Sequence, residues 1–238
     1  MKKLLLAICV FTAAVSASEV YATFTVKAAQ SADLAFSANG IVDHLYADVG
    51  DTVHAGKVLA TLQSEDIRAA VHIAEVARKY ARRDYDRMQA VKEVTDQAKL
   101  DAITFRYENT KAQLAYKQAL LAKTILKAPF DGVVVARNLE IGDTFTAMRP
   151  VPVYRLQSLH ARKLILSFDQ KYWRSVRPGD PFEYTVDGDK KVHQGTITKV
   201  YPAADARSRK MQAEVAARDI PVGLFGEGKI LLNDTAEK

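Results

Sequence analysis

Two segments of this 238-residue chain decide its fold: GIVDHLYADVGDTVHAGKVLATL at residues 40–62 and LKAPFDGVVVARNLEIGDTF at residues 126–145. They share one pattern at a constant separation of 92 residues. Among the identical positions, Gly40 matches Gly132, Gly50 matches Gly142, and Asp51 matches Asp143. Each half is expected to form a strand, a Gly-Asp turn and a second strand, because Gly permits a positive φ and the Asp side chain bonds the turn backbone.

The stretch between these segments is predicted to be helical. Neither Gly nor Pro occurs between Gly56 and Pro129, although these residues normally mark turns. Apolar side chains recur there after alternately three and four residues, which is the spacing of a coiled-coil seam. The first run contains Ile67, Val71, Ala74, Ala81, Tyr85 and Met88, with Arg78 interrupting one step. The second contains Leu100, Ile103, Tyr107, Thr110, Leu114, Lys117 and Leu121, of which Thr110 and Lys117 are polar.

This pattern predicts two antiparallel helices of about 28 residues, each about 40 Å long at 1.5 Å per residue. Either Thr95 or Asp96 can cap the second helix by accepting a backbone N–H bond. The seam is thin and partly polar, so we expect another surface to pack on the hairpin.

The two half-motifs resemble those of a lipoyl-like (biotinyl-like) β-sandwich. Their separation by a helical hairpin resembles the membrane fusion protein family, the HlyD-like periplasmic adaptors of bacterial efflux pumps. The segment APFDG at residues 128–132 is especially typical of that family. Residues 164–186, 195–206 and 224–230 are similar to the family's β-barrel.

The resemblance implies an elongated α+β protein, with a lipoyl-like sandwich split by an α-helical coiled-coil hairpin and followed by a small β-barrel. The expected boundaries are residues 40–64 and 127–157 for the sandwich, 65–126 for the hairpin, 23–39 and 158–232 for the barrel, and 233–238 for a tail. A further membrane-proximal domain, which larger members build from both termini, has little room here. Tyr172 and Trp173 are expected to pack in the barrel core.

The hairpin tip is the site that the resemblance selects. In pump-associated members an Arg, an adjacent apolar residue, a second apolar residue three positions on, and a Ser at the start of the return helix dock on the outer-membrane channel. The corresponding positions here hold Arg87, Met88, Val91 and Thr95. The connection is shorter than usual and Thr replaces Ser, so the alternative is that Met88 and Val91 only end the seam and Thr95 only caps a helix.

No catalytic, cofactor or metal site is expected. A lipoyl or biotinyl carrier places its modified Lys between the half-motifs, but the segment LQSEDI at residues 62–67 contains none. The five His residues show no ligand spacing, and no Ser lies in a G-x-S-x-G motif. The single cysteine, Cys9, excludes a disulfide framework and a Cys-ligated zinc site.

The N-terminus has the pattern of a secretory signal peptide. Lys2 and Lys3 precede an apolar run at residues 4–15, which is shorter than the about 20 residues that span a bilayer. Val20 and Ala22 suit the −3 and −1 positions of a cleavage site, so residues 1–22 are expected to be removed, with cleavage after Ala17 as the alternative.

The net charge of +6 does not indicate a nucleic-acid partner. The most basic cluster, at residues 78–83, has carboxylates at Glu75, Asp84 and Asp86, which is typical of a solvated helix face. The resemblance instead implies a periplasmic adaptor, associated with the inner membrane through a transporter of the RND class or, alternatively, an ABC-type exporter. An outer-membrane channel and a hexameric ring of copies complete the expected assembly. Alternatives of other classes are a lipoyl or biotinyl carrier component and a periplasmic metal chaperone.

Overall fold

The computed structural model describes residues 18–94, 96–148 and 151–232. Two short 3-10 helices, Lys92–Val94 and Gln170–Tyr172, accompany two α-helices and fourteen strands in those residues. The elements are β1 (Glu19–Ala28), β2 (Ser31–Leu34), β3 (Gly40–Leu45), β4 (Thr52–Val53), β5 (Val58–Leu62), α1 (Glu65–Ala90), α2 (Gln97–Ala122), β6 (Ile125–Lys127), β7 (Gly132–Arg137), β8 (Thr144–Phe145), β9 (Tyr154–Ser158), β10 (Ala161–Asp169), β11 (Pro181–Val186), β12 (His193–Val200), β13 (Lys210–Arg218) and β14 (Phe225–Leu231).

The chain divides into two compact units. One is Gln30–Leu159, which holds β2 to β9 and both α-helices. The other contains β1 and the strands that follow His160. The expected α+β fold, with a sandwich, a helical hairpin and a barrel, is confirmed in its elements.

The sandwich consists of two four-stranded sheets, β2-β9-β7-β4 and β6-β5-β3-β8. The first sheet pairs β4 of the first half with β7 of the second, and the second sheet pairs β3 and β5 of the first half with β8 and β6 of the second, so the halves interlock. The pairing is reciprocal: Gly40 pairs with Phe145, and Gly132, 92 residues later, pairs with Val53, the counterpart of Phe145. The strand pairing therefore has the equivalence between the two halves that the constant 92-residue offset predicts.

The two Gly-Asp turns repeat the same bonds. Gly50 and Gly142 have φ angles of 94° and 91°. The Asp51 carboxylate accepts the N–H of Asp48 at 2.9 Å, and the Asp143 carboxylate accepts that of Glu140 at 2.8 Å. Each turn glycine also donates to the other half, Gly50 to the Val134 carbonyl at 2.8 Å and Gly142 to the Val42 carbonyl at 2.9 Å.

Polar side chains tie the halves together as well. The buried Tyr154 hydroxyl lies 2.8 Å from the Ala47 carbonyl oxygen and 3.2 Å from that of Leu59, and burial raises the pKa of this phenol. The Arg137 guanidinium binds the Asp48 carboxylate at 3.0 Å. The Asp48 pKa is lowered, first by the N–H bond from Val49 and then by Arg137.

The hairpin follows the predicted seam. Its helices have 26 residues each, and Val71, Ala81 and Leu114 are their buried residues. Tyr85 stacks on Tyr107 across the seam, with ring centroids 5.0 Å apart. All five of these residues were expected at seam positions, so the heptad spacing identifies the face along which the helices pack.

The barrel closes in the order β1-β10-β13-β12-β11-β14, with β14 returning to β1. Alternating residues of each strand fill its interior, as in β10, where Leu164, Leu166 and Phe168 are buried. Phe24 contacts the ring of Phe182 edge-on at a centroid distance of 6.0 Å. The barrel core is therefore separate from that of the sandwich.

Several predicted boundaries need correction. Residues 30–39 lie with the sandwich and not with the barrel, because β2 pairs with β9. β6 pairs with β5, so residues 125–126 belong to the sandwich and not to the hairpin. The barrel begins at Glu19, and Val20 and Ala22 are fully buried in its core. Residues 1–17, which carry the apolar run, and the tail at 233–238 lie outside the described residues.

The expectation for Trp173 is wrong, whereas that for Tyr172 agrees with the structure. Tyr172 packs against the barrel core from the short helix at Gln170–Tyr172. Trp173 follows it directly and is 57% exposed. Its position at the end of the 3-10 helix turns its side chain away from the core face that Tyr172 occupies.

Candidate functional site

The hairpin tip is built from the last turn of α1 and the short helix that follows. α1 ends where Val91 becomes its C-cap and donates its N–H to the Met88 carbonyl at 3.1 Å. Arg87 lies in the last turn, where a cation is favourable beside the unpaired carbonyls of a helix end. Its exposed guanidinium is held by an ion pair with Asp84 on the same helix.

Val91 and Met88 line the same concavity but differ in exposure. Val91 is 49% exposed, as expected of an apolar side chain at the end of an arm. Met88 is half-buried, and it lines a concavity of about 350 Å³ together with Arg87, Val91 and, from the other helix, Ile103. Met88 thus extends the seam, and its role in contact with a channel stays a prediction.

The start of the return helix is capped by Asp96. Its carboxylate accepts the N–H of Ala98 at 3.4 Å, and α2 begins at Gln97. The sequence allowed Thr95 or Asp96 in this position, and the structure assigns the cap to Asp96. Thr95 itself lies outside the described residues, so its proposed contact role stays a prediction.

The structure brings Arg87, Met88 and Val91 together on one end of the hairpin. A guanidinium with five donors beside an exposed apolar side chain can bond carbonyls of a partner while covering an apolar contact. Asp84 and Arg106, which line the same concavity, were not selected from the sequence. The i,i+3 spacing of Asp84 and Arg87 is the signal that would have indicated the first of them.

The half-motif turns have a structural and not a chemical role. The residues Gly40, Gly50, Asp51, Gly132, Gly142 and Asp143 all take part in strand pairing or in the two turns. At Gly132 an added Cβ would lie 2.3 Å from the Gln157 carbonyl oxygen, so this position needs the absence of a side chain. The link between the halves passes through Gln63 and buried Ser64 into α1.

Two further observations bear on function. No set of three or more His, Cys, Asp and Glu side chains in the described part of the chain is arranged to hold a metal ion. Neither α1 nor α2 has the combination of length and apolar character needed to cross a membrane.

Comparison with known proteins begins with a family model. The model described as the CzcB-like barrel-sandwich hybrid domain matches residues 30–153, a little over half of the chain. Its limits nearly coincide with the unit Gln30–Leu159 that holds the sandwich and the hairpin.

Curated relatives cover more of the chain at lower similarity. The cobalt-zinc-cadmium resistance protein CzcB of Cupriavidus metallidurans is 28% identical over 194 residues, which are 74% of this chain and 37% of that protein. The macrolide export protein MacA of Yersinia pestis is 24% identical over 220 residues, 78% of this chain and 59% of that protein. The chain thus spans between 37% and 59% of the length of these relatives.

A solved structure shows the same fold. A MacA–MexA chimeric protein, which contains the α-hairpin domain of Pseudomonas aeruginosa MexA, superposes with a TM-score of 0.81 at 18% identity. The match covers 91% of this chain and 80% of the chimera.

Proposed function

The chain belongs to the membrane fusion protein, or periplasmic adaptor, family with a CzcB-like barrel-sandwich hybrid domain, and on that premise we propose that it is the adaptor subunit of a tripartite efflux system. In this role it bridges an inner-membrane transporter to an outer-membrane channel. It is not an enzyme, and the transporter supplies the energy. We favour a transporter of the RND class over an ABC-type exporter.

One observation carries the proposal: a two-helix arm interrupts an interlocked sandwich at the point where its two halves join. Ser64 leads from β5 into α1, and α2 leads directly into β6. A carrier domain needs a tight turn with a Lys at this junction, and the arm replaces that turn. The arm ends in Arg87 and in Val91, whose apolar side chain is half-exposed, and we assign these residues to contact with the channel.

The test of this function is efflux by tip variants in the native host. Arg87→Asp and, separately, Val91→Asp should abolish efflux while the protein level and melting temperature stay near wild type. An acidic group in a desolvated contact should weaken binding between the tip and the channel by several kcal/mol, on the order of 3, because the original pairing is lost and the new charge is repelled. If the tip is only a solvated turn, the same substitution should change the free energy of unfolding by under about 0.5 kcal/mol and leave efflux unaffected.

The chain offers a matched control for Arg87. Arg82 is exposed on the same helix and pairs with Asp86, as Arg87 pairs with Asp84. Arg82→Asp therefore makes the same charge change beside the same type of neighbour, farther from the tip, and should leave efflux intact. Val91→Ile keeps an apolar contact and should retain it as well. Full efflux by both Asp variants would show that the tip is only a turn.

Self-association is part of the proposal. The outward faces of the hairpin carry exposed apolar side chains, Ile73, Val76 and Tyr80 on α1 and Phe105 and Tyr116 on α2. On α1 these positions follow heptad spacing on the side away from the seam, and on α2 Phe105 and Tyr116 lie on the corresponding side, eleven residues apart. We assign them to contact between neighbouring copies in a hexameric ring, so that Phe105→Glu should lower the sedimentation coefficient of the assembled adaptor without unfolding the sandwich.

The exported cargo is proposed from the family match. The CzcB-like model and the relative named for cobalt, zinc and cadmium resistance favour divalent metal cations over a macrolide. A host lacking this chain should then lose growth on zinc, cobalt or cadmium salts before it loses growth on a macrolide.

We also propose that the chain is exported and that its leader is cleaved after Ala17. Cleavage after Ala22 would remove four residues of β1, including Val20, which is fully buried in the barrel. Glu19 also pairs with Lys229 at 2.6 Å. Val15 and Ala17 provide the small residues that the cleavage pattern requires. The intact mass of the exported protein should correspond to a chain that begins at Ser18.

A further inference from the structure

The two ends of the barrel carry different charge. At one end the chain passes between β1 and the sandwich, and the neighbouring loops at 187–192 and 219–224 contain two Lys and three Asp residues. At the other end the loops at 169–180 and 201–210 contain six Lys or Arg and three Asp residues. These two loops adjoin, because the Gln170 N–H donates to the Arg209 carbonyl at 3.3 Å.

The carboxylates at this basic end are engaged by backbone groups. Asp169 accepts the N–H of Lys171 at 2.9 Å, and buried Asp180 accepts that of Arg177 at 2.8 Å. Asp205 accepts the N–H groups of Arg207 at 2.8 Å and of Ser208 at 3.1 Å. These bonds hold the loops in shape and occupy carboxylate oxygens with backbone donors.

The cations, in contrast, are available to an external partner. Within residues 18–94, 96–148 and 151–232, no ion pair involves Lys171, Arg174, Arg207, Arg209 or Lys210. All five are exposed. A compact group of unpaired cations produces a positive field that attracts anions over about one Debye length, roughly 8 Å at physiological salt.

Trp173 lies within this group. It is 57% exposed, and the Arg174 guanidinium carbon lies 4.7 Å from the centre of its ring. The neighbouring Tyr172 and buried Val176 fasten the segment to the barrel core. The indole is therefore held outward on a fixed support, with Lys171 and Arg174 on either side in sequence.

We propose that this end of the barrel binds the surface of a membrane that contains anionic phospholipids. Trp is favoured at the level of lipid headgroups, where its ring is half in apolar surroundings and its N–H reaches water. Clustered Lys and Arg residues bind the phosphate groups beside it.

This inference goes beyond the proposed adaptor function and does not depend on the hairpin tip. A protein surface is the competing occupant, and a membrane is favoured because the exposed group is a single Trp flanked in sequence by cations, on a segment fixed to the barrel core. The barrel would then touch the membrane with the end that lies away from its connections to the sandwich.

The chain contains one Trp, so its fluorescence reports on this site alone. The full chain purified from the periplasm is mixed with vesicles of phosphatidylglycerol and phosphatidylcholine in equal parts, or with phosphatidylcholine alone. The emission should shift to shorter wavelength only with the anionic vesicles, and brominated lipid should quench it. Salt at about 0.5 M should reverse the shift, because it screens the cations.

Charge reversal with a matched control completes the test. Lys171→Glu with Arg174→Glu should weaken co-sedimentation with anionic vesicles at least about tenfold, and Arg207→Glu on the second loop should weaken it in the same direction. Lys190→Glu with Lys191→Glu makes the same charge change at the other end of the barrel and should bind as the unaltered chain does. Melting curves check that each variant is folded.

Three results would overturn the proposal. One is Trp emission that does not respond to anionic vesicles. Another is equal binding by the two double variants. The third is binding to native membranes that is lost when their proteins are digested beforehand, which would identify a protein partner instead.

Discussion

The sandwich and the hairpin lie in one compact unit, but different interactions define them. The sandwich core joins residues about 90 positions apart in the chain, and its strands pair reciprocally across the repeat. The hairpin buries Val71, Ala81 and Leu114 along a local seam. Loss of stability should therefore concentrate in the sandwich, while changes at the hairpin tip should affect function and leave the fold intact.

The largest expected effect is in the sandwich core. Leu156 is fully buried, and Leu156→Ala should lower the free energy of unfolding by about 3 kcal/mol through lost burial and a cavity. Leu114→Ala removes the same group from the seam and should expose hairpin amides to hydrogen exchange while sandwich amides stay protected. Equal losses of protection in both regions would contradict the separation.

The turns of the two halves should respond alike. Gly50 and Gly142 have positive φ angles, and an added Cβ would meet nothing within 4 Å at either position. Gly50→Ala and Gly142→Ala should each cost about 1–2 kcal/mol from backbone strain alone. Denaturant titration of the two variants measures the loss in free energy of unfolding. A large loss at one turn with none at the other would show that the two halves are not equivalent.

Acid should weaken the sandwich through Asp48. The pKa of Asp48 is lowered in the folded protein, so its contribution is present above the unfolded-state pKa of about 3.9 and is lost as the pH falls through the lower folded value. Asp48→Asn should flatten the decline in stability below about pH 4. Thermal melts of both proteins between neutral pH and pH 2 provide the measurement. Parallel dependence of the melting temperature on pH would show that Asp48 does not contribute to the acid sensitivity.

The smallest expected effect follows from removing the hairpin. A variant in which a Gly-rich turn joins Ser64 to Thr124 keeps β6 and its pairing with β5. It should melt cooperatively within a few degrees of the full chain, because the sandwich core contains no hairpin side chain. An unfolded product would show that the sandwich depends on the arm.

The sequence alone was sufficient to predict features that depend on local residue spacing or on the internal repeat. Heptad spacing identified the seam positions Val71, Ala81 and Leu114, and the 92-residue offset identified the paired turns at Gly50 and Gly142. The family resemblance drawn from the half-motifs is confirmed by the family match.

Other features depended on tertiary structure. The place of β2 in the sandwich depends on its pairing with β9, which no local pattern encodes. The exposure of Trp173 depends on which of two adjacent aromatic residues faces the core. At the tip, Met88 fits both the heptad pattern of the seam and the docking motif, so the sequence does not decide how exposed its side chain is. The structure shows that Met88 is half-buried beside Ile103.

The most direct test of the central claim is photocrosslinking in living cells from the two ends of α1. A photoreactive residue is placed at Val91, at the tip, or at exposed Asp66, at the base, roughly 35 Å away along the helix. The account predicts that position 91 captures an outer-membrane channel protein and that position 66 does not. Capture of no channel from position 91, or equal capture from both positions, would contradict it.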